Sequence, residues 1–175
     1  MQTAAFEAEA GEGLAELAGK YLTFRLGEEE FGLKILKVQE IIGMQAITAI
    51  PRTPAAVKGV INLRGKVIPV IDLRLKFEME EAEVSRKTCI IVVQVSRESG
   101  DVIMGIIVDE VSEVLEISGD AIEPPPAFGT QVSTDFILGM AKTESAVKIL
   151  LDLDRVLTDQ DIAALAAGEA MTETV

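Results

Sequence analysis

The sequence predicts an all-β protein built from two small, closed or nearly closed barrels. Three observations carry that reading. Short runs rich in Val, Ile and Leu are punctuated by Gly, Pro, Asn and Asp turn signals along most of the chain. Hydrophobic residues make up 49% of the 175 residues but aromatics only 4%, so the core must be aliphatic. The chain also repeats itself. Residues 31–44 slide onto 104–117 with an offset of 73, matching Gly32 to Gly105, Val38 to Val111 and Glu40 to Glu113. Residues 57–73 slide onto 137–153 with an offset of 80, matching Gly59 to Gly139, Val67 to Val147 and Asp72-Leu73 to Asp152-Leu153. Two similar β units of about 60–70 residues follow, each marginal alone and stabilised by a shared apolar contact.

The elements follow in chain order. Residues 1–19 are rich in Ala, Glu and Gly and read as a solvated acidic tail. Tyr21–Leu26 and Phe31–Ile35 form a hairpin around the polar turn 27–30. Val38 to Ile50 is β-rich and is broken by Pro51 and Pro54; Thr53 and Pro54 then suit the cap and first position of a single helical turn. Gly59–Leu63 and Lys66–Asp72 flank Arg64-Gly65 as a second, tight hairpin, with Pro69 at an edge or bulge because it donates no ladder bond. Glu78 to Lys87 is a charged connector. Thr88–Val95 and Val102–Val108 are buried-type strands joined by a polar turn, and Val111–Ile117 alternates. Pro124–Pro126 is a stiff linker before the last strands, Phe136–Ala141 and Val147–Leu153. From Thr158 the chain turns Ala-rich, with Ile162, Leu165 and Ala166 on one helical face.

The composition excludes several functions. With no His, neither a Ser-His-Asp triad nor an imidazole metal site is possible. The single Cys89 allows no internal disulfide and sits among apolar neighbours as an inert thiol. A net charge of −13 repels nucleic acid and anionic membrane surfaces. Glu7, Glu9, Glu12 and Glu16 precede the first basic residue, Lys20, which fits no signal or transit peptide. No apolar run approaches the roughly 18–20 residues of a membrane span, so a cytoplasmic protein is expected.

Candidate catalytic patterns fail one by one. Asp72 and Asp152 end equivalent strands and read as caps of a following turn rather than as a glycosidase pair. An EF-hand counted from Asp152 would need Gly and Glu where Leu157 and Ala163 stand. Gly65-Lys66 is followed by Val67 and lacks a phosphate cradle. What remains is surface: residues 38–42 and 57–65 mix apolar side chains with isolated charges, as a protein-binding face with an apolar centre and charged rim does.

Residues 21–41 and 53–74, with Gly59-Val-Ile-Asn-Leu-Arg-Gly65 followed by Ile68-Pro-Val-Ile-Asp-Leu73, closely resemble CheW-type chemotaxis coupling proteins. Gly105–Leu115 and Ile122–Pro126 are similar too, so the resemblance covers about residues 20–157. It implies two five-stranded SH3-like barrels packed around a shared apolar core, with short helical elements at the C-terminus. It implies no enzymatic activity, no catalytic residue, no metal and no cofactor. The implied partners are the cytoplasmic tip of methyl-accepting chemoreceptors and the regulatory domain of a CheA-type histidine kinase, at the inner face of the membrane. Carried over by motif, Val38, Glu40, Lys58, Gly59, Asn62, Leu63 and Arg64 serve the receptor side. Gly105, Val111 and Val114 lie near the kinase side, in positions that also suit a core. Glu40 and Arg64 are expected to pair, and Val38 to be an exposed apolar anchor. The expected organisation is a tail over 1–19, a first barrel over about 20–85, a second over about 86–157 and a helical tail over 158–175. The alternatives are a CheW-like regulatory module of another signalling protein and a carboxylate-dependent hydrolase.

Overall fold

Alternating Val and Ile residues, bounded by turn formers, give eleven strands among the residues described by the computed structural model, which are 17–97, 100–126, 135–144 and 146–157. In chain order they are β1 (Gly19–Leu26), β2 (Glu29–Lys34), β3 (Val38–Gly43), β4 (Val57–Leu63), β5 (Lys66–Asp72), β6 (Cys89–Arg97), β7 (Gly100–Val108), β8 (Glu110–Ile117), β9 (Ile122–Glu123), β10 (Ile137–Lys142) and β11 (Val147–Leu151). One-turn helices follow β5 (Leu73–Lys76) and β11 (Leu153–Val156). The acidic tail through residue 16, and the apolar face of Ile162, Leu165 and Ala166, lie outside the described residues.

The strands form two sheets. Sheet A runs β8-β1-β2-β11-β10-β9 and sheet B runs β3-β6-β7-β5-β4. Sheet B has the five strands implied by the resemblance; sheet A has five plus the two-residue β9. The chain does not divide between the sheets at residues 85/86. Sheet B is the continuous stretch from β3 to β7, and sheet A takes the strands before and after it. The internal repeat explains this arrangement. Under the two offsets β3, β5 and β4 match β8, β11 and β10, while β2 matches β7. Each sheet therefore combines a hairpin from one repeat with three strands from the other, to which sheet A adds the short β9.

The repeat extends to irregularities. β3 shifts register between Val38 and Glu40, and β8 shifts at the equivalent Val111 and Glu113. β4 shifts between Val57 and Gly59, and β10 between Ile137 and Gly139. The parallel pairs β5–β7 and β11–β2 place Val70 opposite Gly105 and Leu150 opposite Gly32. A Cβ on Gly32 would stand 2.9 Å from Leu150 Cδ2, and one on Gly105 2.8 Å from Ile90 Cγ2, so each glycine makes room for its neighbour. Asp72 N–H donates to the Ala56 carbonyl and Asp152 N–H to that of Phe136, both at 2.8 Å.

Three apolar clusters hold the sheets. The largest is shared: Leu22, Phe24 and Leu33 of sheet A pack with Ile71, Ile91, Met104 and Ile106 of sheet B. Each such side chain contributes about 1.5–3 kcal/mol. Phe24, Phe31, Phe77 and Phe136 run through this contact in a chain with ring centroids 5.4–5.8 Å apart. Smaller clusters lie within sheet B around Ile61, Ile68 and Val70 and within sheet A around Tyr21, Ile122 and Leu150.

Two local expectations change. Residues 53–57 form no helix: 55–56 make a turn that leads into β4 at Val57, and the Thr53 hydroxyl donates back to the Ile50 carbonyl at 2.9 Å and is not a cap. Asp72 does cap, accepting from Arg74 N–H at 2.9 Å, but Asp152 makes no side-chain cap and instead faces Arg155 Nε at 3.6 Å. Pro69 precedes the β5–β7 ladder, which begins at Val70, so no bond of that ladder calls on its missing N–H.

Candidate functional site

The β4–β5 hairpin is built by its turn. Arg64 and Gly65 have φ of 51° and 86°, the double left-handed conformation of a type I′ turn. Such turns favour Asn or Gly at the first position, yet Arg stands there. Asn62 supports the turn by accepting Gly65 N–H at 2.8 Å. The turn lifts Arg64 into solvent at the end of β4, one edge of sheet B; Glu40 lies on β3, the other edge. The Arg64 guanidinium hydrogen-bonds the Glu40 carboxylate, so the expected ion pair forms and closes the seam between the sheet's outermost strands. That bond, with the charge of Glu40, holds the Arg64 pKa above its ordinary value.

Beside this pair runs a groove of about 790 Å³, floored by Leu63, Ile68, Val92 and Ile103 and rimmed by Glu40, Arg64, Lys66 and Asp101. Val67 stands 62% exposed at its side. An apolar floor with a mixed charged rim suits a protein segment, where the apolar part supplies affinity and the rim charges register.

The seven receptor-side candidates do not all meet there. Glu40, Asn62, Leu63 and Arg64 surround the groove or its turn. Val38 is half-buried and packs against the shared core, so it is only partly exposed between its polar neighbours. Gly59 is buried at φ 139°, and a Cβ there would overlap the Thr48 carbonyl, so it admits the Thr48–Val60 bridge that flanks β4. Lys58 pairs with Glu81 of the connector. It lies six strand residues from Arg64, about 20 Å away. Of the kinase-side candidates, Gly105 is buried at the centre of sheet B and offers a partner no surface. Val111 packs on the shared core, whereas Val114 is 50% exposed on edge strand β8.

The sequence reading missed two ion pairs at the junction of the sheets, Arg74–Asp109 and Lys37–Asp154. The signal was present in the repeat: positions 74 and 154 are equivalent and carry opposite charges. Burial alone would raise the Asp109 carboxyl, but Arg74 and the Gly27 N–H outweigh it and hold the group below the usual aspartate range. Among the described residues no group of three or more acidic or cysteine ligands is placed to hold a metal, and no helix is long and apolar enough to cross a membrane.

Two interleaved sheets with a rimmed apolar groove define an all-β module of the adaptor kind, with a face suited to a protein segment. The CheW-like domain matches residues 20–161, and the chain belongs to the CheW family. It is 38% identical over 155 residues to the chemotaxis protein CheW of Klebsiella aerogenes, covering 86% of this chain and 91% of that one. It is 36% identical over 140 residues to CheW of Rhizobium meliloti, covering 80% and 88%. The crystal structure of the scaffolding protein TtCheW from Thermoanaerobacter tengcongensis superposes with a TM-score of 0.72 at 39% identity, covering 82% of this chain and 95% of that one. The family is one of chemotaxis adaptors, and the chain is not an enzyme.

Proposed function

We propose that this adaptor couples the cytoplasmic tips of chemoreceptors to the regulatory domain of a CheA-type histidine kinase, and that the Glu40–Arg64 groove is its receptor side. The Glu40–Arg64 pair carries the reading. It fixes the side chain of an arginine that the turn sets in a backbone conformation arginine rarely adopts, beside an apolar groove, and so keeps a charged group where a helical tip can meet it. Asn62 and Leu63 take part through the turn and the groove floor. Lys58 and Gly59 act through the fold of β4, and Val38 through the core beneath β3. The kinase side draws on β8, where Val114 is exposed. Through its receptors the adaptor works at the inner face of the membrane.

The test is Arg64→Ala in the full chain. Solvent screens the pair, so folding stability should barely move. Receptor-fragment binding should weaken by roughly ten-fold or more, as for a truncated interface arginine, while kinase binding persists. Unchanged receptor binding would remove the groove from the receptor side. A wild-type chain that fails to couple receptor to kinase would overturn the adaptor reading as a whole.

A further inference from the structure

Among the described residues no strand pairing joins sheet A to sheet B, and the chain passes from one to the other at 35–37, from β2 to β3, and at Asp109, from β7 to β8. The shared aliphatic core holds the sheets together without direction, since apolar contacts tolerate small rotations. Directional contacts are concentrated at the two crossings. At one, Asp109 accepts Arg74 Nε and Nη2 at 2.8 and 2.9 Å and Gly27 N–H at 2.7 Å. Arg74 Nη1 also donates to the Glu80 carbonyl at 2.8 Å. At the other, Asp154 accepts Lys37 Nζ at 3.0 Å and Ser96 N–H at 2.9 Å.

The two clusters are related by the repeat. Each joins a crossing, the one-turn helix after the last strand of a repeat, and a hairpin-end N–H. Gly27 and Ser96 are equivalent, because β1 and β6 align through their pairings Phe24–Val111 and Val93–Val38. The charges are inverted: the helix supplies the cation at Arg74 and the anion at Asp154. Each clasp ties both sheets, since Gly27 follows β1 while Arg74 follows β5, and Ser96 lies in β6 while Asp154 follows β11.

We propose that the Arg74–Asp109 and Lys37–Asp154 clasps are positioning residues that fix the angle between the sheets, and with it the placement of the receptor side on sheet B relative to the kinase side on sheet A. The inference rests on the adaptor reading. An adaptor between two large partners transmits a change only if its two faces keep a defined geometry. Losing a clasp therefore costs coupling between the partners and spares binding of each alone.

The experiment uses the full chain in a Cys89→Ala background, spin-labelled at V67C and V147C. These positions are repeat-equivalent, one on each sheet, and 62% and 49% exposed. Electron–electron resonance distances are compared for the unaltered clasps, Asp109→Asn, Asp154→Asn and the conservative Lys37→Arg. The two Asn variants should broaden or shift the distance distribution, and Lys37→Arg should not. Without labels, receptor-stimulated kinase activity should fall about five-fold or more in the Asn variants, the lower end of a typical coupling. Binding of receptor or kinase separately should stay within about two-fold. Unchanged distances in the folded Asn variants, or full stimulation despite changed distances, would overturn the inference. If Asp109→Asn does not fold, Asp154→Asn decides alone. If the wild type does not couple receptor to kinase, the adaptor reading fails while the distances still decide whether the clasps set the angle.

Discussion

Lys148 is only 6% exposed in sheet A, paired with the Glu30 carboxylate, whose side chain is 27% exposed. The repeat shows what could stand there instead. Lys148 in β11 is equivalent to Ile68 in β5, and Glu30 in β2 to Ile103 in β7; Ile68 is buried and Ile103 packs against the same cluster. One sheet thus carries an apolar pair where the other carries an ion pair. Glu30→Ala leaves a buried ammonium without its partner. Breaking a buried pair costs about 3–5 kcal/mol, and the lower figure applies because part of Glu30 remains wet. For a chain of this size, about 3 kcal/mol lowers Tm by roughly 6–12 °C. Replacing both residues, Glu30→Ile with Lys148→Ile, copies sheet B and should match or exceed the wild type, by up to about 4 kcal/mol. Urea unfolding followed by circular dichroism, with Glu30→Ile alone and Lys148→Ile alone added, measures all four corners of the double-mutant cycle. A Glu30→Ala protein as stable as wild type, or a double-Ile protein less stable than either single variant, would refute the reasoning.

The other predictions are more local. Gly105→Ala drives a Cβ to 2.8 Å from Ile90 and 3.4 Å from Val70, which should cost about 1–3 kcal/mol in urea unfolding. Any loss of kinase binding in that variant should vanish when it is compared at equal folded fraction. Asn62→Ala removes the acceptor for Gly65 N–H and should cost about 0.5–1.5 kcal/mol, with faster amide exchange confined to the β4–β5 turn. Asp109 has a folded-state pKa below its unfolded value of about 3.9, so its contribution is complete above that pH and is lost as pH falls through the folded value. The stability gap between wild type and Asp109→Asn should therefore be constant near neutral pH and narrow below about pH 4, read by urea titration at each pH. Asp72, pushed up chiefly by its burial, has the opposite sign but is common to both proteins and cancels in the difference.

Strand content was legible because Val and Ile runs with Gly, Pro and Asn punctuation leave little choice of period. Arg64-Gly65 between two such runs marked the tight hairpin, and opposite charges in the two motif segments pointed to the Glu40–Arg64 pair, which forms between opposite edges of sheet B and not through pairing of β3 with β4. Alternation tells which face of a strand is buried but not which strand lies beside it. For that reason the repeat suggested two consecutive units, whereas the sheets exchange hairpins. Lys148 was invisible for a related reason: a lysine between apolar neighbours normally points to water, and only the position of Glu30 across the parallel pair shows otherwise. The helical turn at Thr53–Val57 was expected from cap chemistry alone; its hydroxyl found a nearer carbonyl. Val38 follows the same rule as Val111: the register shift beside each turns the side chain onto the core.

The nesting of one sheet inside the other also sets an order of synthesis. Sheet B is complete once residue 108 has emerged, and its longest pairing, Val38 with Val93, spans 55 residues. The β1–β2 hairpin emerges first, yet β1 must wait for β8, where Thr23 meets Glu113 across 90 residues. Such distant pairing is slow, because a long loop must close before any contact rewards it. In the interval Phe24, Leu26 and Phe31 can be covered only by sheet B, and the edge of β1 has no strand beside it. A chain stalled or truncated just before β8 would hold a finished inner sheet and an orphan apolar hairpin, the form of this protein most prone to aggregate.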